Sequence, residues 1–390
     1  MARQRVVVST LGITQIFGWG STYYLLGVLA TPIAEDTGWP AGGIVAGMSL
    51  ALFTSGMAAP MVGDAIRARG GRRFLTLAFP TIALGLLMLA LAPSLALFLA
   101  GWIAIGLGMS MGLYDACFAT LGGIYGREAR SAITILTLWG GLASTVAWPL
   151  SAALNEAVGW RWTCVFYAAV HLLICLPIVR AVVPAPDPRR ADAAPTLLPA
   201  FSMTPTERRA FAVMIGITIL AGTCFTILAV HMLTLFQGRG LSVAEAVTVG
   251  ALIGPAQAVA RLGEMVSGGR HHPIWTMTAA AGLAALGLLL LASGWQVVGL
   301  ATLLYGAGNG IFSIAKGAVP LIWFGPERYP SIMGRLARPG QIAQAVAPTL
   351  GAMLLALGGT DLTLWVLAVL GLVNIGLVGV LIGQRGKTAA

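Results

Sequence analysis

The chain has 390 residues, of which 58% are hydrophobic and 9% charged, and it carries a net charge of +10. Soluble globular domains carry about 25% charged residues, so this composition excludes a water-soluble fold and identifies an integral membrane protein. The positive charge sits in short loops between apolar runs, which argues for membrane topology and against a nucleic-acid partner.

Taken in chain order, apolar runs fall near 7–29, 42–63, 74–93, 95–121, 132–154, 162–183, 210–236, 243–266, 274–293, 296–323, 334–357 and 362–383. Each is long enough to cross roughly 30 Å of hydrocarbon as a helix. None shows the short apolar–polar alternation of a membrane barrel, and the 51 glycines suit close helix packing in lipid. Arg3 and Arg5 precede the first run as in a secretory leader, but the run is too long and no small-residue cleavage site follows, so it reads as a retained span. With the N-terminus inside, only Arg161 and Arg239 fall in outer loops and only Arg261 and Lys316 fall within spans; the other Lys and Arg are cytoplasmic. Both termini are therefore expected on the cytoplasmic side.

The one long polar stretch, "VPAPDPRRADAAPTLLPAFSMTPTERR", reads as a linker. It predicts an N-terminal six-helix bundle over 1–183, a linker over 184–209 and a C-terminal six-helix bundle over 210–390. The two bundles repeat each other at an offset of about 200 residues. Gly106 and Gly108 match Gly306 and Gly308, GGR at 70–72 matches GGR at 268–270, "YGREARSAI" aligns with "FGPERYPSI", and Pro149 aligns with Pro348. The fold class is all-α, with twelve transmembrane helices in two parallel repeats.

Twelve spans in two halves, a cytoplasmic linker and "GDAIRARGGRR" after the second span resemble the major facilitator superfamily. Gly63, Gly70, Gly71, Arg72 and Arg73 fit the family's loop motif, whereas Arg67 stands where the family has Asp and Asp64 comes three residues early. In the second half Glu264 follows Gly263 as Asp64 follows Gly63. Asp64 and Glu264 thus read either as equivalent gating carboxylates, with Arg72, Arg73, Arg335 and Arg338, or as plain helix caps. The resemblance implies a cavity lined by spans 1, 4, 7 and 10, with 2, 5, 8 and 11 beside them. The polar residues follow that layout at helical spacing. Gln15, Trp19 and Tyr23 share a face of span 1, and Gln257, Arg261 and Glu264 a face of span 8. Asn309, Ser313 and Lys316 share a face of span 10, and Arg338, Gln341 and Gln344 one of span 11.

Lys316 lies seven residues before Trp323, about 10 Å inside the span, where a buried charge costs about 2.5–3.5 kcal/mol and so implies a cavity or bundle-interior position. Position 115 maps onto 315 under the repeat, making Asp115 its natural opposite charge. The surplus of Arg and Lys suits a small organic anion, gripped by Arg through parallel hydrogen bonds. The substrate set is Lys316, Arg261, Asn309, Trp19, Tyr23, Gln15, Gln257 and Gln341, with Asp115 and His231 as proton-coupling candidates. Arg261 reads either as a substrate group or as part of an intracellular latch. The pattern resembles the monocarboxylate and oxalate–formate branch, which implies proton-coupled alternating access by a monomer with a small-molecule partner in the bilayer. An efflux pump for a drug or toxic metalloid is the alternative, since Cys117, Cys164, Cys175 and Cys224 all lie in spans. His171 reads as structural, and His271–His272 as a poor metal site. No P-loop, zinc spacing or nucleophile elbow appears, so no enzyme activity, cofactor or metal is expected. The excess of Arg over Lys points to a GC-rich bacterial genome and hence an inner-membrane location.

Overall fold

The computed structural model describes residues 2–185, 203–267, 270–295 and 297–385. Most of the expected linker, Gly268 and Gly269 of the repeated GGR, and Lys387 lie outside the described residues. Among the described residues the regular structure is helical, with no strand. The first part of the chain forms α1 (Ala2–Gly20), α2 (Leu26–Thr37), α3 (Ala41–Arg69), α4 (Arg72–Ala90), α5 (Leu95–Gly112), α6 (Tyr114–Tyr125), α7 (Ala129–Gly141), α8 (Ala143–Val170), a π-helical turn (His171–Cys175) and α9 (Leu176–Val182). The second forms α10 (Pro205–Gln237), α11 (Val243–Ala251), α12 (Ile253–Val266), α13 (Pro273–Ala292) and α14 (Val298–Arg385).

Local chemistry sets these boundaries. Thr204 and Glu207 form a reciprocal capping box at the start of α10, as Ser242 and Glu245 do for α11, and Pro205 and Pro273 occupy first-turn positions where no N–H is needed. Seven helical stretches among the described residues are long and apolar enough to cross a membrane. Two of them, Leu95–Val182 and Val298–Gln384, run for 88 and 87 residues, yet they contain Gly159 at φ 80°, Gly325 at φ 74° and Gly359 at φ 63°. That left-handed backbone is open to glycine at little cost, and it interrupts a right-handed helix. The first and fourth apolar runs, expected as single helices, are each broken: residues 21–25 form a turn between α1 and α2, and extended Leu113 separates α5 from α6.

The chain forms two compact units, one of residues 1–200 with 324–338, the other of 201–323 with 339–390. Trp102, Tyr167, Phe79, Phe98 and Phe118 fill the first core. Leu228, Phe236, Leu288, Leu364 and Leu367 are central to the second. Large apolar side chains such as Met61, Leu91, Leu173 and Leu357 are more than 70% exposed, as lipid-facing residues are.

The sequence repeat recurs as repeated contacts inside each unit. A side chain at Gly106 would collide with the Ala51 carbonyl of α3, and one at Gly306 would come within 3.0 Å of the Ile253 carbonyl of α12. One at Gly108 would lie 3.0 Å from the Ala78 carbonyl of α4, and one at Gly308 2.6 Å from the Ala280 carbonyl of α13. The two arginines expected in outer loops, Arg161 and Arg239, take similar partners as well. Arg161 Nη1 donates to the carbonyls of Ala90 and Ala92 at 3.0 and 3.3 Å, with Asp36 3.4 Å from its other nitrogen. Arg239 donates to Leu291 and Ala292 at 2.7 and 3.0 Å and pairs with Asp361 at 2.5 Å. Each arginine thus caps the helix that begins after the GGR loop of its own half, where the last carbonyls lack intrahelical donors. The positions of the Arg and Asp along the chain are exchanged between the halves.

Arg239→Gln is expected to lower stability by about 2 kcal/mol, the worth of charge-assisted bonds to otherwise unsatisfied carbonyls. Asp361, itself 76% exposed, contributes less than about 1 kcal/mol. Thermal unfolding of Arg239→Gln and Asp361→Asn in detergent checks this, and equal losses would show that the ion pair, not the cap, matters.

Candidate functional site

In the first unit the site grows out of the α5–α6 break. Leu113 takes φ −87°, ψ −169°, which frees the Gly112 carbonyl from the helical ladder. Gln15 supplies the missing donor: its Nε2 donates to the Gly112 carbonyl at 2.8 Å, while its Oε1 accepts from Trp19 Nε1 at 3.2 Å. Gln15 is fully buried, so this residue of the expected substrate set acts as a stitch that holds the break. Beyond the break, Asp115 is half-buried in the first turn of α6. Aromatic rings enclose the neighbourhood. Trp19 meets Tyr114 at 5.1 Å and Tyr23 at 5.6 Å, Tyr23 meets Tyr24 at 5.4 Å, and Tyr24 meets Trp148 at 5.9 Å. Tyr23 keeps its predicted company although it lies in the 21–25 turn. His171 is buried with Nε2 2.7 Å from Ser21 Oγ and its ring stacked on Phe79, so it tethers that turn to the π-helical turn.

In the second unit α12 and α14 meet at Gly310, where a side chain would come within 2.7 Å of Gln257 backbone atoms. The close approach brings the Gly310 carbonyl to Arg261, whose Nε donates to it at 3.0 Å and whose Nη2 donates to Gln257 Oε1 at 3.3 Å. Arg261 is only 5% exposed, and its buried Nη1 has no hydrogen-bond partner among the described residues. Glu264 faces elsewhere: it accepts from Thr276 at 2.9 Å and lies 3.3 Å from His271, joining the end of α12 to the start of α13. Asn309, Ser313 and Lys316 occupy a half-buried stripe of α14 beside buried Ile314 and Ala315. Asn309 also lines a cavity of about 30 Å³ with Tyr305, Cys224 and Asn374, room for about two water molecules. His231 sits against the Pro348 carbonyl at 2.9 Å, and Gln341 is half-buried after Pro339.

The residues of the gating set, Glu264 among them, do not come together in one place. In the first unit α3 meets the 326–338 part of α14 backbone to backbone: a side chain at Gly63 would lie 2.5 Å from the Pro330 carbonyl, and one at Gly334 would strike the Ala59 carbonyl. The next residue on each helix completes a fork, Arg335 Nη1 to Asp64 Oδ1 at 2.6 Å and Nη2 to Oδ2 at 3.0 Å. Arg67, which stands where the resemblance expects Asp, donates to the Glu327 carbonyl at 3.1 Å. Arg338 is exposed. Arg72 and Arg73 instead line a recess with Arg180, and Arg72 donates to the Arg180 carbonyl. The recess, the Leu113 break and Tyr114 escaped the sequence reading; the only local trace of the break is Gly112 before an acidic residue.

Long apolar helices, repeated glycine contacts, helix interruptions and buried polar groups facing carbonyls are features of a multi-pass membrane protein, and similarity to known proteins places the chain among transporters. The sequence profile described as the Major Facilitator Superfamily matches residues 11–315, and the chain belongs to that family. No curated protein sequence matches it. The fold is similar to that of the human organic anion transporter MFSD10 (TETRAN), with TM-score 0.73 and 18% identity over 96% of this chain and 99% of the other. It is also similar to the proton:xylose symporter XylE bound to 6-bromo-6-deoxy-D-glucose, with TM-score 0.69 and 12% identity over 95% and 94% of the two chains.

Gly334→Leu is expected to force α3 and the 326–338 helix apart and raise amide hydrogen exchange across both. Asp64→Asn, which leaves the close backbone contact intact, is expected to change exchange only near residue 335, because half-exposed pairs contribute about 1 kcal/mol or less. Unchanged protection in Gly334→Leu would remove the glycine contact from this account.

Proposed function

We propose that the protein is a secondary transporter that moves a small organic anion, a carboxylate, by alternating access. The observation that carries the reading is Arg261. A buried guanidinium is costly unless an opposite charge or a full set of acceptors accompanies it. Arg261 has a neutral carbonyl and a neutral amide as partners, and the carboxylate on its own helix, Glu264, is engaged with Thr276 and His271. An anionic cargo supplies the missing charge through Nη1. Lys316 adds a second cation on α14, and Asn309, Gln257 and Gln341 add polar contacts. Trp19 and Tyr23 supply an apolar wall held in place by Gln15.

Asp115 is the proton-coupling group in this reading and His231 a second candidate. Asp64, Glu264, Arg72, Arg73, Arg335 and Arg338 govern conformation, with the Asp64–Arg335 fork as the part that opens and closes. The breaks at Gly126, Gly159, Gly325 and Gly359 divide each of the two long helical runs into three, and with α1–α2 and α11–α12 each taken as one span the count is twelve, six in 1–183 and six in 210–390, with 184–209 as linker and both termini cytoplasmic. The monomer resides in a bacterial inner membrane.

One observation favours a second reading. The ring cluster of Trp19, Tyr23, Tyr24, Tyr114 and Trp148 adjoins a carboxylate, and aromatic faces with an acid suit a cation, as efflux of a cationic drug requires. The four cysteines are buried as free thiols, and no cluster of metal-ligating side chains occurs among the described residues, so nothing favours a metalloid.

Uptake of labelled short-chain carboxylates into proteoliposomes is expected to fall at least about tenfold in Arg261→Ala and in Lys316→Ala, as for loss of a charge-assisted contact of about 1.4 kcal/mol or more. Normal uptake in both variants would end the anion reading, and transport of hydrophobic cations in their place would establish the second. Asp115→Asn is expected to abolish acceleration by an imposed pH gradient while carboxylate exchange persists. An intact pH response in that variant would move coupling to another residue.

A further inference from the structure

Arg72 and Arg73 open α4, Arg180 lies in the last turn of α9, and the two helix ends pack together. With Thr76 and Leu77 the three arginines line an open recess of about 380 Å³. Arg72 is fixed by its bond to the Arg180 carbonyl, whereas Arg73 and Arg180 are exposed. Among the described residues no carboxylate lines the recess. A soluble protein would leave such a cluster to water and chloride, but this one sits at the foot of a lipid-facing surface. Along α4 the residues Leu77, Leu84 and Leu91 are 44%, 56% and 74% exposed. Arg73 shares that face, and Leu91 lies 18 residues further on, about 27 Å along the helix. That length nearly matches the roughly 30 Å hydrocarbon layer, so the arginines stand at headgroup level. Leu173 and Ile174 of the neighbouring π-helical turn, 75% and 44% exposed, continue the apolar surface beside them.

From this arrangement we infer a binding site for an anionic glycerophospholipid. Its phosphodiester lies in the recess between Arg73 and Arg180, its acyl chains along Leu77, Leu84, Leu173 and Ile174. Guanidinium forks match phosphate oxygens, and basic pockets between spanning helices suit lipid headgroups. Three cations without a carboxylate repel the amine of a zwitterionic headgroup, so the site selects headgroups that lack one. Because α4 and α9 converge there, an occupied site ties the third span of the first unit to the helix that follows the π-helical turn. The inference depends on α4 spanning the bilayer and is independent of the cargo.

The test uses the full-length protein in detergent, titrated with dioctanoyl phosphatidylglycerol, dioctanoyl phosphatidylcholine and inorganic phosphate, with thermal unfolding and native mass spectrometry as readouts. Phosphatidylglycerol is expected to raise the unfolding temperature and remain bound in the gas phase, and the other two are not. The double variant Arg73→Gln/Arg180→Gln is expected to weaken phosphatidylglycerol binding about tenfold. Leu77→Trp, which fills the recess without altering its charge, is expected to weaken it as well and decides the matter if the double variant does not fold. Equal stabilisation by phosphatidylcholine, or the whole effect reproduced by inorganic phosphate, would overturn the lipid assignment. So would unchanged phosphatidylglycerol affinity in Leu77→Trp.

Discussion

A backbone carbonyl inside a bilayer has no water to accept from, and an unsatisfied one costs several kcal/mol. This constraint explains the placement of most polar side chains in the structure. Gln15 serves the Gly112 carbonyl at the α5–α6 break, Arg161 and Arg239 serve the ends of α4 and α13, and Arg261 serves Gly310. His231 also bonds the Pro348 carbonyl, and Arg67 donates, in an exposed bond, to that of Glu327. At the α5–α6 break and the ends of α4 and α13, long polar side chains reach the freed carbonyls. The break at Leu113 in turn creates the half-helix that begins at Tyr114 and carries Asp115 in its first turn.

The helical repeat was legible in the sequence because glycines recur wherever two backbones touch. Gly106, Gly108, Gly306 and Gly308 each mark a close helix contact where an added Cβ would come within about 3 Å of neighbouring atoms, and a contact of that kind leaves a one-letter signature at a fixed offset. The site was legible only by helix face. Spacing of three or four residues places Gln257, Arg261 and Glu264 on one side of a helix, but it says nothing about the neighbouring backbone. Arg261 turns to a carbonyl of α14 and Glu264 to side chains at the start of α13. The same limit applies to Gln15, whose partner exists only because Leu113 is extended. A Leu between Gly112 and Tyr114 carries no propensity that marks a break; tertiary packing produces it.

Sequence symmetry also concealed a difference in use. Asp64 and Glu264 occupy matching positions after Gly63 and Gly263, yet Asp64 forms a bidentate fork with Arg335 whereas Glu264 bonds Thr276 and lies beside His271. The physical reason is the residue opposite. Gly334 lets the 326–338 helix approach α3 so closely that the next residue, Arg335, is delivered to the carboxylate. Duplicated helices keep their own packing because packing is dense and intolerant of change. A surface carboxylate is freer to take a new partner whenever the opposing residue differs.

The two arginine caps illustrate the same freedom with the function retained. The ends of α4 and α13 each take a cation, but it comes from α8, two residues past the kink at Gly159, in the first case and from just beyond α10 in the second. Asp36 and Asp361 exchange places in step. What persists across the duplication is therefore the unsatisfied carbonyl, not the residue that answers it. Arg261 is the buried cation in this group with a nitrogen left over after its carbonyl is satisfied, and in the proposed anion-transport reading that remainder separates it from the caps.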